Sequence, residues 1–211
     1  MEKNKNRRCV IAGGADIGDY EFLREKLLPD DYVIYCDSGL KHMEGLNVKP
    51  GLIIGDFDSH EDPHMDVETI VLPCEKDDTD TVFAVKEGIR RGFEDFLLVG
   101  AVGARLDHTL GNVYLLEYLD SLGMKGCIID DYSEMEMISG ERVVVPDRYS
   151  FFSVLNITGE AKGITIENAK YPLSDAEITS GYQYGVSNEV LPGKEAYISV
   201  RSGKLLLIKV R

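Results

Sequence analysis

The pattern of apolar and polar positions predicts alternating strands and helices over the first two thirds of the chain. Short apolar runs rich in β-branched residues indicate buried strands, and apolar residues every three or four positions indicate helices. The predicted strands are Arg8 to Ala12, Tyr32 to Cys36, Leu52 to Ile54, Thr69 to Leu72, Asp95 to Val99 and Cys127 to Ile129. The predicted helices are Tyr20 to Leu28, Asp77 to Arg91 and one from about Asp107 to Gly123 with Leu110, Val113, Leu116 and Leu119 facing inward. This alternation predicts a mainly parallel sheet covered by helices on both faces.

From about Glu134 the pattern changes to short alternating segments separated by Gly, Pro and Asn turns. The predicted strands are Arg142 to Val145, Ser150 to Ile157, Gly163 to Ile166, Ala196 to Val200 and Leu205 to Val210. Without helical periodicity, this region is predicted to be a small antiparallel β-sandwich. A boundary near Ser139-Gly140 gives an α/β domain over residues 1–139 and a β domain over residues 140–211.

Composition narrows the range of partners. The chain has 211 residues with 44% hydrophobic and 28% charged positions, as expected of a globular protein. Its net charge of −14 argues against nucleic acid, which needs clustered Lys and Arg, but not against a nucleotide bound through a metal. No apolar run approaches the roughly 20 residues that span a bilayer, and no signal-peptide core follows the basic start. We therefore expect a cytoplasmic protein without a membrane partner.

The cysteines give no sign of a metal or redox site. Cys9, Cys36, Cys74 and Cys127 lie far apart, without the spacing of a zinc site or a CxxC motif. Three of them lie in or beside apolar stretches, so the simplest interpretation is that they are buried free thiols.

Carboxylates are concentrated in Gly55-Asp56-Phe57-Asp58-Ser59, directly after a predicted strand. If extended geometry continues, Asp56 and Asp58 point to the same side and repel one another unless a cation lies between them. Oxygen ligands of this kind suit Mg²⁺; a solvated acidic turn is the alternative. Asp37, Asp56 and Gly100 all follow predicted strands, at the edge where parallel sheets bind ligands.

A second group of carboxylates lies in Lys76-Asp77-Asp78-Thr79-Asp80, where a helix is predicted to open. Asp77 and Asp80 are three positions apart and are expected to share a helix face. Helix capping accounts for one or two of these aspartates. The excess costs repulsion unless a metal or a cationic ligand neutralises it. Lys76 either contacts a phosphate or offsets its acidic neighbours.

A third cluster runs from Gly103 to Asn112. Arg105 supplies a planar fork suited to phosphate oxygens, and Asp107 is a cap, a ligand or a partner of Arg105. His108 falls in the first turn of a predicted helix, where the helix dipole disfavours protonation. We expect it to be neutral and packed rather than a catalytic base. Asn112 is either a polar core contact or part of a site.

Together these segments resemble the thiamine pyrophosphokinase (thiamine diphosphokinase) family, in motif order and across nearly the whole chain. The resemblance rests on the GDFDS motif at residues 55–59, the KDxTD motif at 76–80 and the GxRxDHxxxN motif at 103–112. Cys36-Asp37-Ser38-Gly39 matches a further family turn imperfectly, with Ser38 where Gly is common. Gly185-Val186-Ser187-Asn188 is similar to the family's thiamine-contacting Ser-Asn turn.

The resemblance implies a transferase that moves the β,γ-diphosphate of ATP to the hydroxyl of thiamine and releases AMP, with Mg²⁺ as cofactor. It implies an ATP- and Mg²⁺-binding α/β domain, a thiamine-binding β-sandwich, and a homodimer with sites between subunits.

The resemblance also assigns roles to individual residues. The metal ligands would be Asp56, Asp58 and Asp80, with Asp37 and Asp77 as additional ligands or neighbours. The phosphate-binding residues would be Lys76 and Arg105, with Thr79 and Asn112 nearby. Asp107 would orient Arg105 or help to accept the hydroxyl proton. Ser187 and Asn188 would hydrogen-bond the aminopyrimidine. Because the chain has no Trp, Tyr171 is the candidate aromatic wall, although Tyr is also common in exposed turns.

Two other classes of function remain open. A Mg²⁺-dependent nucleotide hydrolase, or a diphosphotransferase acting on another alcohol, would use the same carboxylates. A non-catalytic sensor of thiamine or nucleotide would be expected to lack metal-binding carboxylates, and none is missing from these motifs.

Overall fold

The computed structural model describes residues 4, 6–57, 65–73, 75, 77–140 and 142–211. The chain divides into two compact units, Met1–Asp131 and Tyr132–Arg211. The division falls eight residues before the boundary predicted from the sequence, and it assigns a strand at Ser133–Ile138 to the second unit. None of the helices in the described residues is long and apolar enough to cross a membrane.

The first unit contains a parallel sheet, as the sequence predicts. Its strands are β1 (Arg8–Ala12), β2 (Tyr32–Cys36), β3 (Leu52–Gly55), β4 (Thr69–Val71), β5 (Asp95–Val99) and β6 (Lys125–Ile129). They lie in the order β4-β3-β2-β1-β5-β6. The helices are α1 (Tyr20–Lys26), a 3-10 helix (Asp37–His42), α2 (Met43–Leu46), α3 (Asp80–Arg90) and α4 (Leu106–Ser121). The central strands are almost wholly buried, which is why they appear as continuous apolar runs.

Three details of the helices differ from expectation. α1 ends at Lys26 rather than Leu28, because Pro29 disfavours helical geometry in the residue that precedes it. α3 begins at Asp80, because Thr79 is the N-cap and its side chain accepts a hydrogen bond from the N–H of Val82. α4 buries the face carrying its Asn112 and Leu residues 115, 116 and 119, so the predicted inward position of Leu110 is wrong: it is 51% exposed.

The second unit is an antiparallel β-sandwich, as predicted. Its strands are β7 (Ser133–Ile138), β8 (Val143–Pro146), β9 (Phe151–Leu155), β10 (Glu160–Glu167), β11 (Leu173–Thr179), β12 (Glu195–Ser199) and β13 (Leu205–Val210). One group is ordered β7-β13-β9 and the other β11-β10-β12-β8. Residues of both groups share one apolar core, including Phe152, Ile166 and Leu207.

The prediction of buried free thiols is confirmed for two of the cysteines. Cys9 and Cys36 are buried thiols, and burial raises the pKa of both. Cys127 is half-buried, and Cys74 lies outside the described residues. Among the described residues, these thiols therefore act as small apolar side chains.

Candidate active site

Three aspartates that are distant in sequence come together at one end of the parallel sheet. Asp37 opens the 3-10 helix after β2, Asp56 follows β3, and Asp80 opens α3. One carboxylate oxygen of each lies within 4.8 Å of the others. Asp37 is buried and the other two are half-buried. The carboxyl ends of neighbouring parallel strands meet at one edge, which explains why β2 and β3 bring Asp37 and Asp56 together.

Gly55 allows this close approach. A Cβ atom at Gly55 would lie 2.6 Å from the Cβ of Asp37, closer than carbon atoms pack. Two positions later, Phe57 adopts a left-handed φ of 55°, which is uncommon for a bulky residue. The chain therefore turns sharply immediately after Asp56, and the glycine and this turn together explain the local form of the GDFDS segment.

The structure describes only part of the other acidic and basic residues in the motifs at residues 55–59 and 76–80. Asp58 and Lys76 lie outside the described residues, so their assignments remain predictions. Asp77 is exposed and precedes the helix, so it does not share a helix face with Asp80 as predicted. Asp78 forms an ion pair with Lys86 at 2.6 Å. The aspartates of this segment thus divide between the cluster, an ion pair and an exposed turn.

A cavity of about 310 Å³ adjoins the cluster. Its walls come from the loop after β1, the start of the 3-10 helix, the start of α3, the loop after β5 and the first turns of α4. The lining residues include Gly14, Asp16, Ser38, Thr79, Asp80, Gly100, Arg105, His108 and Asn112. Size and lining make this cavity a candidate for a polar ligand.

The loops after β1 and β5 cross at very close range. The N–H of Gly13 donates to the carbonyl of Val99, and that of Ala15 donates to the carbonyl of Gly100, each at 2.9 Å. Gly100 has a φ of +58°, and a Cβ atom on Gly13 would lie 2.6 Å from the carbonyl oxygen of Gly100. Only glycine fits both positions without displacing the other loop.

The 3-10 helix also holds the loop after β1. His42 is almost fully buried; its Nε2 lies 2.8 Å from the carbonyl oxygen of Ala15, and its Nδ1 lies 2.7 Å from the hydroxyl of Tyr20. Lys41 pairs with Asp16 at 2.6 Å. Burial lowers the pKa of His42, so the neutral ring donates from Nε2 and accepts from Tyr20. Sequence reasoning missed His42, because both of its partners are more than twenty residues away.

Arg105, which lines the cavity, forms a bidentate pair with Asp107. Nε and Nη2 of Arg105 donate to the two carboxylate oxygens of Asp107 at 2.9 and 2.7 Å. Both side chains are exposed. The hydrogen bonds from Arg105 hold the pKa of Asp107 well below its usual range.

The start of α4 fixes the loop after β5. Asn112 is buried and donates from Nδ2 to the carbonyl of Ala101 at 2.8 Å. The hydroxyl oxygen of Thr109 accepts from the N–H of Gly103 at 3.1 Å. His108 lines the cavity and is exposed, so the expectation that it is packed is wrong.

A second cavity, of about 280 Å³, lies within the β-sandwich unit. It is lined by Ile166, Tyr171, Leu173, Tyr184, Gly185, Val186 and Asn188. Tyr171 is 58% exposed, and the Tyr184 hydroxyl donates to the carbonyl of Glu177 at 2.6 Å. The ring of Tyr184 also lies 5.4 Å from that of Tyr182. The sequence singled out Tyr171 but gave no signal for Tyr184.

The predicted Ser-Asn turn lies beside this cavity. Ser187 is exposed, has a left-handed φ of 57°, and its N–H donates to the Ser153 hydroxyl at 3.0 Å. Asn188 is buried, and its amide makes hydrogen bonds to main-chain groups of Tyr171 and Glu189. The turn thus presents an exposed serine and a buried asparagine.

Comparisons with known proteins agree across both units. The thiamin pyrophosphokinase catalytic domain matches residues 23–128, and the thiamin pyrophosphokinase vitamin B1 binding domain matches residues 142–205. The chain is 28% identical to thiamine pyrophosphokinase of Bacillus subtilis (strain 168) over 216 residues, which cover 95% of this chain and 96% of that protein.

Solved structures show the same fold. The crystal structure of thiamine pyrophosphokinase from Bacillus subtilis has a TM-score of 0.85 at 24% identity, covering 97% of this chain and 99% of that one. The thiamin pyrophosphokinase from Geobacillus thermodenitrificans has a TM-score of 0.82 at 25% identity, covering 97% of each chain. Yeast thiamin pyrophosphokinase has a TM-score of 0.72 at 13% identity, covering 100% of this chain and 88% of that one.

Proposed function

The chain belongs to the thiamine pyrophosphokinase family, and on that premise we propose that it transfers the β,γ-diphosphate of ATP to the hydroxyl of thiamine, in a Mg²⁺-dependent reaction that releases AMP. The observation that carries this proposal is the meeting of Asp37, Asp56 and Asp80 beside a cavity lined by Arg105. A site that combines carboxylates with a guanidinium suits a metal-bound polyphosphate.

The donor set fits Mg²⁺. Asp37, Asp56 and Asp80 offer only oxygen atoms, and three carboxylates within 4.8 Å of each other repel strongly without a cation. Bound there, Mg²⁺ would neutralise charge on the phosphate oxygens of ATP. Asp58 remains a further predicted ligand from its place in the same motif.

We assign the phosphates of ATP to the cavity beside the cluster. Arg105 lines it, with its Nε and Nη2 atoms paired to Asp107 and with Nη1 outside that pair. In this assignment Asp107 orients the fork and Nη1 contacts phosphate. Asn112 and Thr109 support the same wall by holding the loop after β5, and Lys76 remains a predicted phosphate contact.

We assign thiamine to the cavity of the β-sandwich unit. All of its lining residues fall within residues 142–205, which match the vitamin B1 binding domain of the family. Tyr171 and Tyr184 supply aromatic faces, which attract a permanently cationic thiazolium ring. The Ser187 hydroxyl is assigned to the aminopyrimidine, where a neutral donor and acceptor suits a neutral ring.

The chemistry asked of these residues is positioning and charge neutralisation. The hydroxyl oxygen of thiamine attacks the β-phosphorus of ATP and releases its proton to solvent, while the bond from the β-phosphorus to the bridging oxygen breaks and that oxygen leaves with AMP. Negative charge spreads over the phosphate oxygens as this bond breaks, so fixed cationic groups stabilise the transition state more than the ground state. In this proposal Arg105, which lines the cavity, supplies that positive charge.

An assay of AMP release tests the proposal. The purified protein with ATP and Mg²⁺ should release AMP only when thiamine is added, and EDTA should abolish the release. AMP formed without thiamine would instead indicate a nucleotide hydrolase. No AMP under any of these conditions would leave a binding protein without this activity.

Assembly and location are proposed from the family resemblance alone. A homodimer with sites between subunits, acting in the cytoplasm, is the expected arrangement. Light scattering coupled to size-exclusion chromatography should give about twice the chain mass of 23.5 kDa, and a mass equal to one chain would contradict the homodimer.

A further inference from the structure

We propose that Asn188 is a positioning residue, whose side-chain amide holds the main chain of Tyr171 and thereby sets the aromatic wall of the thiamine cavity. This inference rests on the proposed function, since it concerns the same cavity. It differs from the direct contact with the aminopyrimidine that the family resemblance implies for Asn188, because it has this residue act on the substrate through Tyr171.

The hydrogen bonds of Asn188 are directed at one residue. Its Oδ1 accepts from the N–H of Tyr171 at 3.0 Å, and its Nδ2 donates to the carbonyl of Tyr171 at 2.8 Å. Oδ1 also accepts from the N–H of Glu189 at 2.9 Å. Because main-chain N–H groups are donors only, these contacts fix which end of the amide is the oxygen. The side chain thus pairs with both main-chain polar groups of Tyr171, as a neighbouring strand would.

The main chain around these residues shows why this pairing is needed. The two segments are linked by an isolated bridge between Ala169 and Val190, and the N–H of Lys170 donates to the carbonyl of Glu189 at 2.9 Å. At Asn188 the main chain turns to Phe152 instead, with which it exchanges two hydrogen bonds of 2.8 Å. The main chain of Asn188 no longer pairs with the segment around Tyr171. Its side chain makes the next hydrogen bonds to that segment instead.

This arrangement ties the main chain of Tyr171 to the core of the unit. Phe152 is fully buried in the apolar core of the unit, and Asn188 is 4% exposed, whereas Tyr171 is 58% exposed. Tyr171 lies between β10 and β11, outside both strands. The ring itself lies 5.6 Å from the ammonium of Lys170, and the hydrogen bonds from Asn188 fix the main chain that carries the ring at the cavity wall.

A double-mutant cycle tests whether Asn188 acts through Tyr171. Calorimetric titration would give thiamine affinities for Asn188→Asp, Tyr171→Ala and the double variant. Asn188→Asp keeps the acceptor for the N–H of Tyr171 but places a carboxylate oxygen against its carbonyl. We expect each single variant to weaken thiamine binding roughly tenfold, and the double variant to stay within about twofold of Tyr171→Ala. Losses that multiply in the double variant would overturn the proposal, as would an unchanged affinity in Asn188→Asp.

Asn156 provides a matched control within the same unit. It is also buried, donates to the carbonyl of Ile178 at 2.8 Å, and accepts from the N–H groups of Thr158 and Gly159 at 2.9 Å. It does not line the cavity. Asn156→Asp should lower thermal stability as Asn188→Asp does, yet bind thiamine with wild-type affinity. An equal loss of thiamine affinity in this control would mean that the effect is general destabilisation, and would overturn the proposal.

A measurement without ligand separates the clamp from the proposed function. Hydrogen exchange of the Tyr171 amide in the free protein should accelerate more than tenfold in Asn188→Ala and stay unchanged in Asn156→Asp, since the N–H donates to Asn188. Unchanged exchange in Asn188→Ala would overturn the clamp itself. If the wild-type protein makes thiamine diphosphate but the double-mutant cycle shows no coupling between Asn188 and Tyr171, this inference alone is overturned. A wild-type protein that binds no thiamine overturns the proposed function, and this inference with it.

Discussion

The metal assignment depends on the individual aspartates of the cluster. Asp56→Asn or Asp80→Asn removes one formal charge from a group whose oxygens lie within 4.8 Å. We expect activity to fall about 10²-fold or more, because less charge remains to hold the metal and its polyphosphate. Folding should be little affected, since the change relieves repulsion. Steady-state kinetics at saturating Mg²⁺ and a denaturation curve measure the two quantities.

Asp78→Asn is the matched control for these variants. Asp78 lies in the same acidic segment as Asp80, but its carboxylate pairs with Lys86 rather than with the cluster. An exposed pair of this kind contributes little to stability, so the control should keep nearly full activity. Near-wild-type turnover in both Asp56→Asn and Asp80→Asn would rule out the metal assignment.

Gly55 allows the close approach between its strand and Asp37 of the cluster. In Gly55→Ala the new methyl group would lie 2.6 Å from the Asp37 Cβ. We expect a loss of about 1–3 kcal/mol in the free energy of unfolding, together with lower activity as Asp37 is displaced. Gly111→Ala in α4 meets no atom within 4 Å and should raise stability by up to about 1 kcal/mol. Urea denaturation compares the two, and a Gly55→Ala protein as stable and active as wild type would contradict the account.

The 3-10 helix connects the cluster with the loop after β1, since it carries Asp37 at one end and His42 at the other. Burial lowers the pKa of His42 in the folded state, whereas an unfolded chain has a histidine pKa of about 6.5. As the pH falls below about 6.5, the unfolded state therefore binds more protons and stability falls. The slope is at most about 1.4 kcal/mol per pH unit for one proton, and it ends below the folded-state pKa.

His42→Gln tests this element directly. Glutamine retains an N–H near the position of Nε2 for the carbonyl of Ala15, but it does not titrate. We expect the variant to lose less stability than wild type between pH 7.5 and pH 5.5. Urea denaturation at several pH values gives the comparison, and parallel pH dependences in the two proteins would refute the role assigned to burial.

Elements were predictable where local signals were strong. β1, β2, β5 and β13 have the predicted limits because buried strands are continuous apolar runs. β11 was missed because four of the seven residues of this edge strand are polar, and the adjacent Ser174 and Asp175 interrupt the alternation that its last five residues show. Leu116 and Leu119 of α4 are buried as predicted, but Leu110 was misassigned because it fits the apolar spacing, although the buried face begins at the polar Asn112. Periodicity alone does not indicate which face meets the sheet.

The candidate site shows the same division between local and tertiary signals. Asp37 and Asp56 were predictable at one sheet edge because each follows a strand of a parallel sheet. The roles of His42 and Asn188 depend on partners distant in sequence, so no spacing along the chain announces them. Sequence reasoning therefore missed these hydrogen bonds, and the predicted contact of Asn188 with the aminopyrimidine remains a prediction.

In the proposed function each unit of the molecule binds its own ligand. Ser187→Ala in the β-sandwich unit should weaken thiamine binding by roughly 1–1.5 kcal/mol, about one hydrogen bond to a neutral group. The affinity for ATP and Mg²⁺ should stay within about twofold, because the carboxylate cluster belongs to the other unit. Calorimetric titration of each ligand would show the difference. An equal loss for ATP, or none for thiamine, would remove Ser187 from the thiamine site.

Transfer of the intact diphosphate from ATP to thiamine in one step is distinguished from other reactions by the identity of the products. The protein, in excess over thiamine, is mixed with ATP and Mg²⁺, and the products of one turnover are identified by mass spectrometry. The account predicts thiamine diphosphate and AMP in equal amounts, with no thiamine monophosphate at any time. Thiamine monophosphate accompanied by ADP, or ATP consumed with thiamine unchanged, would contradict it.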